Sequence, residues 1–482
     1  MSDQLLLASA TQLAQWIRDG KTTSVAVLEA HIARMRQVNP VINAVVSKRI
    51  ADARVEAADA DRQVAAATKA GTLTDLPPLL GVPCTIKESF HFNGMPNTAG
   101  LVSRIGRRIA EDAPTVARLR AAGAIPLGVT NTSEVCMWME SYNHVYGLTS
   151  NPYDTSRTVG GSSGGEGAIV ASGASPFGLG SDVGGSIRMP AFFNGVFGHK
   201  CSPGLVSNEG QFPPPSGQID RHLSSGPLCR RASDLEPLLR ILAGDQADKL
   251  ASVADVDFSK MRVLQFVREL AIKPDQDQTR ARDMAVAALV QAGAKVEAIH
   301  LPLMAQARDL WTAMLATADS DKTFADHMFG TRKPSAAIRE LGLLALRRSE
   351  HTFPLVLLSL LERIPELTPK RTMRLRNDAL ALKCQLEDLL GDDGVLITPT
   401  YPTVAPKHYK AMLPPFNFVN CAIYNALSLP VTAVPTGLNG DGLPTGVQVV
   451  AREGYDHLTI AAALQLEKAL GGWAYPMITT QD

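Results

Sequence analysis

The sequence predicts an α/β fold that forms one domain with a helical insertion. Short apolar segments typical of buried strands alternate along the chain with longer segments whose apolar residues recur at helical spacing. The region from about 300 to 385 lacks strand signals, and we expect it to be a mainly helical insertion that shapes a pocket. Since no internal repeat or obvious linker divides the chain, residues 1–482 are predicted to form a single domain.

The first 235 residues are predicted to form an outer layer and a core. Residues 1–75 are rich in alanine with few helix breakers, and Thr23-Ser24 suits an N-cap, which predicts a helical N-terminal layer. Residues 76–235 are predicted to form the core with its Gly/Ser-rich loops. Its expected elements are a buried strand at Leu79 to Ile86, a helix at Pro114 to Ala122, a strand at Ile125 to Thr130 and a helix at Thr132 to Glu140.

The alternation of helices and strands continues to the end of the chain. Helices are predicted at Asp234 to Ala243, Gln278 to Gly293 and Asp456 to Leu470. Strands are predicted at Arg262 to Val267, Gly394 to Thr400, Leu429 to Pro435 and Thr445 to Val450.

Charge and cysteine usage exclude several classes of protein. Lys+Arg 47 balance Asp+Glu 47, whereas binding of nucleic acid or an anionic membrane by bulk charge needs an excess of Lys and Arg. We therefore predict no nucleic-acid partner. The six cysteines are scattered, without a Cys-x-x-Cys pair or a Cys/His cluster, so we expect no metal site and a reducing, cytoplasmic location.

Membrane insertion is not predicted. The N-terminal segment Met1 to Ala10 carries an acid where a signal peptide would carry Lys or Arg. Outside the glycine-rich region, the longest apolar run, His351 to Leu361, is about half of what a bilayer-spanning helix needs. We expect no transmembrane anchor.

Glycine is concentrated in one segment of the chain. Twelve of the 38 glycines lie between Gly160 and Gly198, a stretch with only three charged residues, Glu166, Asp182 and Arg188. Close packing of bare backbone would explain such a segment without any chemistry. The segment does not match a phosphate-binding P-loop, because the lysine that such a loop requires is missing.

The serines of this segment favour nucleophilic catalysis. Gly160-Gly-Ser-Ser-Gly satisfies the Gly-x-Ser-x-Gly pattern of a nucleophile elbow, which would make Ser162 the nucleophile. However, the residues before Gly160 favour turns, whereas an elbow follows a strand. We therefore favour a site that uses two glycine clusters, a first one from Gly160 to Gly167 and a second one at Gly184-Gly185.

In that site the second cluster supplies the nucleophile. Consecutive amides can converge on one oxygen as an oxyanion hole, with Ser186 placed to attack the carbonyl that they polarise. A serine hydroxyl needs a base, and Lys87 follows a buried strand where desolvation would keep its amine neutral. Ser162 would then relay the proton between them. The expected oxyanion-hole amides are those of Val183, Gly184, Gly185 and Ser186.

Three motifs resemble the amidase signature family: Gly81-Val-Pro-Cys-Thr-Ile-Lys-Glu, Gly160-Gly-Ser-Ser-Gly-Gly-Glu-Gly and Gly184-Gly-Ser-Ile-Arg-Met-Pro. The resemblance runs over nearly the whole chain and implies a central twisted mixed β-sheet covered by helices on both faces. It also implies a Ser–cis-Ser–Lys triad of Ser186, Ser162 and Lys87 that hydrolyses a small-molecule amide without a cofactor. Esters are compatible substrates.

Other segments resemble fatty-acid amide hydrolases of the second type, and imply hydrophobic acyl or aryl amides as substrates. Those membrane-bound relatives carry an N-terminal transmembrane helix that we do not find in this sequence. The matching segments are Pro190-Ala-Phe-Phe-Asn-Gly-Val-Phe-Gly-His-Lys, Gly391-Asp-Asp-Gly, Pro402-Thr-Val-Ala-Pro-Lys-His and Pro415-Phe-Asn-Phe.

Further residues are expected to support the site or line its pocket. Ser163 would hold the first loop through hydrogen bonds, and Asp182 and Arg188 would form an ion pair that orients the second. Apolar side chains near the motifs are expected to line the substrate pocket, namely Met137, Trp138, Phe192, Phe193 and Phe416.

Two other functions stay open at this point. The first is a transamidation subunit that releases ammonia from glutamine, which shares the triad motifs but needs a polar pocket. The second is a non-catalytic binding protein on the same scaffold, which commonly lacks one member of the triad. The oligomeric state is also open, although members of the family are often dimers and a homodimer is compatible with the sequence.

Overall fold

The protein is an α/β domain built on one large sheet. The structure, a computed structural model, describes residues 2–267, 270–318, 322–331, 333–412 and 416–478. Eleven of the strands in these residues form a single mixed sheet in the order β1-β3-β2-β6-β8-β7-β12-β13-β11-β9-β10. The strands are β1 Val45–Lys48, β2 Pro83–Lys87, β3 Ile125–Thr130, β4 Tyr142–Asn143, β5 Gly147–Leu148, β6 Phe177–Asp182, β7 Phe197–Lys200, β8 Ser224–Cys229, β9 Arg262–Phe266, β10 Lys295–Ile299, β11 Gly394–Pro399, β12 Val431–Leu438 and β13 Pro444–Val450.

Helices precede the sheet, connect its strands and close the chain. The described part of the segment between β10 and β11 consists mainly of helices. The helices are α1 Ser2–Leu7, α2 Ala10–Arg18, α3 Ser24–Ile42, α4 Ile50–Ala70, α5 Pro114–Ala121, α6 Gly164–Ala171, α7 Arg188–Phe193, α8 Ile219–His222, α9 Leu235–Ala243, α10 Gln276–Gln291, α11 Ala307–Ala316, α12 Phe324–Phe329, α13 Pro334–Ala345, α14 Phe353–Leu361, α15 Ile364–Leu367, α16 Pro369–Leu390, α17 Val419–Ala426 and α18 Asp456–Leu470.

Helices cover both faces of the sheet because successive strand residues point to opposite sides. On one face, Cys84 and Ile86 of β2 join a core cluster with Leu238 of α9 and Leu466 of α18. The other face carries a second cluster, to which β3 contributes Ile125 and Leu127, α3 contributes Leu28 and Ile32, and α6 contributes Ile169 and Val170. The predicted α/β fold with a mixed sheet between helices is therefore confirmed.

Most predicted elements are present with shifts of a few residues. Strand β3 and helix α18 have the predicted bounds, and the hydroxyl of Thr23 caps α3 by accepting from the amide of Ala26 over 3.1 Å. The N-terminal layer differs from the prediction in one respect. It contains strand β1, which pairs antiparallel with β3 at the edge of the sheet.

The helix predicted at Thr132 to Glu140 is wrong. Only a single 3-10 turn forms, at Glu134–Cys136, and Val135 and Cys136 adopt φ of 53° and 58°, which no α-helix allows. The side chain of Glu134 accepts hydrogen bonds from Thr352 N at 2.8 Å and pairs with His351 Nδ1 at 2.6 Å. Contacts with the distant insertion therefore override the local pattern.

The glycine-rich segment contains four elements that the sequence did not predict: α6, β6, α7 and β7. Every residue of β6 and α6 is buried. Of the described helices, none combines the length and the apolar character needed to cross a membrane.

Candidate active site

Three neighbouring parallel strands end at one edge of the sheet, where polar side chains meet. Lys87 is the last residue of β2, Thr130 of β3 and Asp182 of β6. Because β2 runs parallel to both neighbours, the three carboxyl ends lie at the same edge. The topology therefore brings Lys87 close to the second glycine cluster, which begins after Asp182.

The side chain of Lys87 is fully buried and contacts two serine hydroxyls. Its Nζ lies 2.7 Å from Ser162 Oγ and 3.0 Å from Ser181 Oγ. Burial lowers the pKa of Lys87 because it penalises the ammonium form, while nearby Cys136 and Asp182 oppose this shift. A lysine with a lowered pKa is more readily the neutral amine, which can take a proton from a hydroxyl.

Ser162 lies in a tight turn that packs against the segment before it. The peptide bond between Gly161 and Ser162 is cis, as the family resemblance implies. A Cβ at Gly161 would lie 2.2 Å from the carbonyl oxygen of Trp138, so only glycine fits there. Ser141 Oγ donates to the carbonyl of Ser162 at 3.2 Å and accepts from the amide of Gly164 at 2.9 Å, which fixes both ends of the turn.

Ser186 is the most accessible of the three predicted triad residues. It is 8% exposed, compared with 1% for Ser162 and 0% for Lys87. The amide of Ser163 donates to the carbonyl of Ser186 at 3.1 Å, which ties the two glycine-rich loops together. No hydrogen bond between the hydroxyls of Ser162 and Ser186 is formed among the described residues. The loops are therefore joined through the backbone.

The hydroxyl of Ser163 supports the first loop, as predicted. It donates to the carbonyl of Ser181 at 3.2 Å and accepts from the amide of the same residue at 3.3 Å. Since Ser181 belongs to β6, this pair of contacts anchors the loop to the end of the strand that leads to the second loop.

The predicted ion pair between Asp182 and Arg188 is present and completely buried. The distance from Arg188 Nε to Asp182 Oδ2 is 3.0 Å, and the carboxylate also accepts from the amides of Gly185 at 2.7 Å and Ile187 at 3.1 Å. Burial alone would raise the pKa of Asp182, but the guanidinium and these amides hold it well below its usual range. The carboxylate of Asp182 therefore holds the backbone of the second loop in a fixed conformation.

This arrangement changes the predicted oxyanion hole at one position. The N–H of Gly185, whose φ is 110°, donates to Asp182 and is not directed to a shared oxygen site. Of the hydrogen bonds between described residues, none uses the amides of Val183, Gly184 or Ser186. Three of the four predicted amides are thus available to bind an oxyanion.

Three partners of Arg188 were not predicted from the sequence. Its Nη1 donates to the carbonyl of Cys421 and to Gln448 Oε1, both at 3.0 Å, and its Nη2 donates to Asn425 Oδ1 at 2.5 Å. The sequence offered one indication of these partners, because Gln448 is a polar residue inside the otherwise mostly apolar strand β13. The contacts of α17 are set by tertiary packing, which sequence spacing does not reveal.

The predicted pocket residues fall into two groups. Met137, Trp138 and Phe416 are half-buried. Trp138 packs against two apolar clusters, one around Met189 and one that includes Leu355 of the insertion. Phe416 packs against a different apolar cluster, which includes residues of helices α11 and α16. Their place in a substrate pocket stays a prediction.

Phe192 and Phe193 need a correction, because they form core rather than an open pocket wall. They are 2% and 1% exposed and belong to a buried cluster with Met139 and Tyr401. The rings of Phe193 and Tyr401 pack edge to face with centroids 4.9 Å apart. Both phenylalanines lie on the short helix α7, so they are buried beneath the loop that carries Ser186.

An aromatic residue beside the second loop, Trp311, was missed by the sequence analysis. Its ring lies 3.4 Å from where a Cβ of Gly184 would stand, and its Nε1 makes a long hydrogen bond of 3.5 Å to the carbonyl of Val183. Trp311 also packs edge to face with Phe418, with centroids 5.1 Å apart. Nothing in the local sequence distinguishes this tryptophan from a core residue of helix α11.

Comparison with known proteins agrees with this geometry. The profile of the family Amidase matches residues 26–460. Fatty-acid amide hydrolase 2-A of Danio rerio is 46% identical over 490 residues, which cover 100% of this chain and 92% of the relative. A glutamyl-tRNA(Gln) amidotransferase subunit of Lacticaseibacillus paracasei is 30% identical over 95% of this chain and 96% of its own.

A solved structure described as an amidase superimposes with a TM-score of 0.78 at 27% identity, and the match covers 96% of this chain and 100% of the other. The similarity to fatty-acid amide hydrolases of the second type that the motifs indicated is confirmed at full length. The chain belongs to the amidase family and is an amide-hydrolysing enzyme.

Proposed function

We propose that the enzyme cleaves the C–N bond of hydrophobic acyl or aryl amides through an acyl-enzyme on Ser186. The observation that carries this proposal is the contact of 2.7 Å between the buried amine of Lys87 and the hydroxyl of Ser162, whose loop is joined to that of Ser186 by the hydrogen bond from the amide of Ser163. In this assignment Ser186 is the nucleophile, Ser162 the proton relay and Lys87 the base.

Proton transfer follows the order of the three side chains. As Ser186 Oγ bonds to the carbonyl carbon, its proton passes to Ser162, and Ser162 gives its own proton to Lys87 Nζ. The proton returns by the same route to the departing amine when the C–N bond breaks, and water then hydrolyses the ester formed with Ser186.

The oxyanion that forms during attack needs donors that are already in place. The amides of Val183, Gly184 and Ser186 supply them in this proposal, while Gly185 keeps its bond to Asp182. Each donor of such a site is worth about 3–4 kcal/mol of transition-state stabilisation. No reorganisation is needed, because the buried pair of Asp182 and Arg188 already fixes the loop.

The preference for an apolar substrate rests on the side chains around Ser186. Trp311 borders the second loop at Gly184 and packs against Phe418, and Trp138 lies beside Gly161 of the first loop. We infer that the helical insertion, residues 300–385, provides one wall of the pocket through Trp311. Two relatives that match nearly the whole chain are named fatty-acid amide hydrolases, which favours the same substrate class.

The nucleophile is tested with a fluorophosphonate probe, which labels activated serines. Ser186→Ala should abolish labelling of the folded protein. Ser163→Ala, which removes a neighbouring hydroxyl of the same loops, is the matched control and should still be labelled. Full labelling of Ser186→Ala would reject the assignment.

The base is tested by the pH dependence of turnover. Lys87→Ala should lower kcat/KM by about 10²–10⁴-fold near neutral pH, and the loss should shrink as hydroxide rises. A loss that is the same at every pH would argue against Lys87 as the base. A panel of amides and matched esters graded by acyl length and by amine type would define the substrate.

The second candidate is release of ammonia from glutamine, since one relative is a glutamyl-tRNA(Gln) amidotransferase subunit. The aromatic ring of Trp311 beside Gly184 opposes it, because free glutamine carries an ammonium and a carboxylate group that an apolar surface cannot pair. Ammonia release from glutamine in the absence of any hydrolysis of apolar amides would replace the first proposal with this one.

A further inference from the structure

A buried glutamate close to Lys87 has no role in the mechanism above. Glu166 lies in the first turn of α6, directly after the loop of Ser162, and is 0% exposed. Its Oε2 accepts from Thr85 Oγ1 at 2.5 Å and its Oε1 from Thr130 Oγ1 at 2.7 Å. Within the described ranges it forms no ion pair, unlike the buried Asp182.

The two threonines connect this glutamate to the strands that carry the site. Thr85 precedes Lys87 by two residues and therefore lies on the same face of β2. Thr130 ends β3 and is paired in register with Lys87. Glu166 thus connects helix α6, which follows Ser162, to strand β2, which carries Lys87, and to the neighbouring strand β3. These contacts fix the position of the proposed base relative to the proposed proton relay.

The neighbouring strand leaves space for this carboxyl group. A Cβ at Gly178 of β6 would lie 1.7 Å from Glu166 Oε2, so any side chain there would displace the carboxyl. Gly178 pairs with Thr85 across β2 and β6, which places the glycine opposite the residue that holds the carboxyl. This glycine therefore serves the placement of Glu166.

The partners of Glu166 allow it to be charged or neutral. A threonine hydroxyl can donate to a carboxylate or accept from a carboxylic acid, whereas a paired cation would enforce the ionised form. Burial raises the pKa of Glu166 to about 8, against the opposing effects of the two threonines and of Lys87. Burial therefore favours the uncharged acid at lower pH, and the carboxylate becomes populated as pH rises towards 8.

The other titratable groups around Glu166 do not supply a counter-charge. Cys84, on β2, has its pKa raised well above the ordinary value by burial, so it is an uncharged thiol. Asp182, at the end of β6, is committed to Arg188 of α7. Lys87 is the remaining group, and an ionised Glu166 would hold it as the ammonium ion.

We propose that Glu166 is a positioning residue, which holds Lys87 against Ser162 through the two threonines and thereby keeps the lysine in place to act as a base. This inference rests on the base role proposed for Lys87. Ionisation of Glu166 would favour protonated Lys87 and withdraw the base, so the two groups titrate as a coupled pair.

The test compares Glu166→Gln with the wild-type enzyme over a range of pH, following kcat/KM and the rate of fluorophosphonate labelling. Glutamine keeps the shape and both threonine contacts but cannot ionise. The ascending limb of the profile should shift by about one pH unit to lower pH, the lower end of the effect of a nearby opposite charge. The plateau rate should stay close to that of the wild type. An unmoved limb would overturn the proposal, because a merely structural role changes stability and not the profile.

Glu88→Gln is the matched control. Glu88 follows Lys87 directly and is equally buried, but its carboxylate accepts from the backbone amides of Thr98 and Ala99 at 2.5 Å and 2.7 Å. This variant should lose stability and keep the wild-type pH profile. A shift equal to that of Glu166→Gln would show that loss of any buried carboxyl moves the profile, and would also overturn the proposal.

A second pair of variants covers the case in which Glu166→Gln does not fold. Thr130→Val removes one of the two hydroxyl partners and should lower the plateau rate, whereas Thr130→Ser keeps the hydroxyl and should not. Equal rates for both variants would overturn the positioning role. If Lys87→Ala retains the ascending limb, the base role itself fails; if it loses the limb while Glu166→Gln leaves the limb unmoved, only the inference about Glu166 fails.

Discussion

Replacing Asp182 by asparagine tests how the second glycine loop is held. The carboxylate accepts from three backbone amides of the loop and from two nitrogens of Arg188, and both side chains are 0% exposed. Asparagine keeps one oxygen but removes the negative charge. The remaining acceptors of Arg188 are neutral: the carbonyl of Cys421, Gln448 Oε1 and Asn425 Oδ1.

The variant therefore leaves a buried guanidinium without a counter-charge. Removing one partner of such a pair costs about 3–5 kcal/mol, because the charge that remains cannot regain its water. Asp182→Asn should lower the free energy of unfolding by that amount, measured by urea denaturation at neutral pH. Asp59→Asn, which breaks the exposed pair with Arg62, is the control and should leave stability nearly unchanged. A loss below about 1 kcal/mol for Asp182→Asn, within the range of ordinary surface changes, would refute the reasoning.

The pH dependence gives an independent check of the same pair. The pKa of Asp182 is lowered in the folded state, so its contribution to stability is present above the unfolded value of 3.8 and is lost as pH falls through the folded value. The stability difference between the wild type and Asp182→Asn should therefore be constant above pH 3.8 and shrink below it. A difference that shrinks already between pH 7 and pH 5 would point to another group.

Three further outcomes follow from the structure. Gly161→Ala, whose Cβ would lie 2.2 Å from the carbonyl of Trp138, should abolish probe labelling, whereas Gly184→Ala, with its nearest contact at 3.4 Å, should reduce it only partly; equal effects would contradict this. Ser163→Ala loses two hydrogen bonds to strand β6 and should lower the unfolding free energy by about 1–3 kcal/mol in urea denaturation. The pKa of Glu166 is raised by burial from 4.5 to about 8, so its contribution is fully present below pH 4.5 and is lost as pH rises to about 8; stability relative to Glu166→Gln, measured by thermal unfolding, should fall across that window and not rise.

The strands and helices that the sequence predicted well are those whose local pattern agrees with their burial. Strand β3 is buried over its whole length and mostly apolar, and α18 combines an acidic first turn with a helical apolar repeat and a glycine stop. The segment Thr132 to Glu140 offered a similar helical pattern, but Glu134 is held by His351 and Thr352, more than 200 residues away in the chain. A distant contact of this kind leaves no trace in local periodicity.

The elements of the glycine-rich segment were missed for a different reason. Glycine lowers the propensity for both helix and strand, so α6 and β6 have little local preference for the structure that they adopt. Packing decides their form, because a Cβ at Gly167 would lie 2.7 Å from the side chain of Asn194 and one at Gly180 would lie 2.7 Å from that of Leu228. Motifs therefore indicated the candidate triad residues, while spacing alone could not show how α6 and β6 are built.

The three charged residues of the glycine-rich segment all fix the shape of glycine-rich backbone, two of them through an ion pair and the third through hydroxyl groups. A loop made of glycine has no side chains to fix it, so its shape has to be imposed by contacts from a few strong hydrogen-bonding groups. Asp182 and Arg188 impose it on the second loop as a full ion pair, whose charge state is fixed over the physiological pH range. Glu166, at the end of the first loop, is held by hydroxyls instead, and a permanent charge there would hold Lys87 as the ammonium ion, which cannot receive a proton. Ion pairing next to the oxyanion loop and neutral pairing next to the base are therefore both required by the proposed proton transfer.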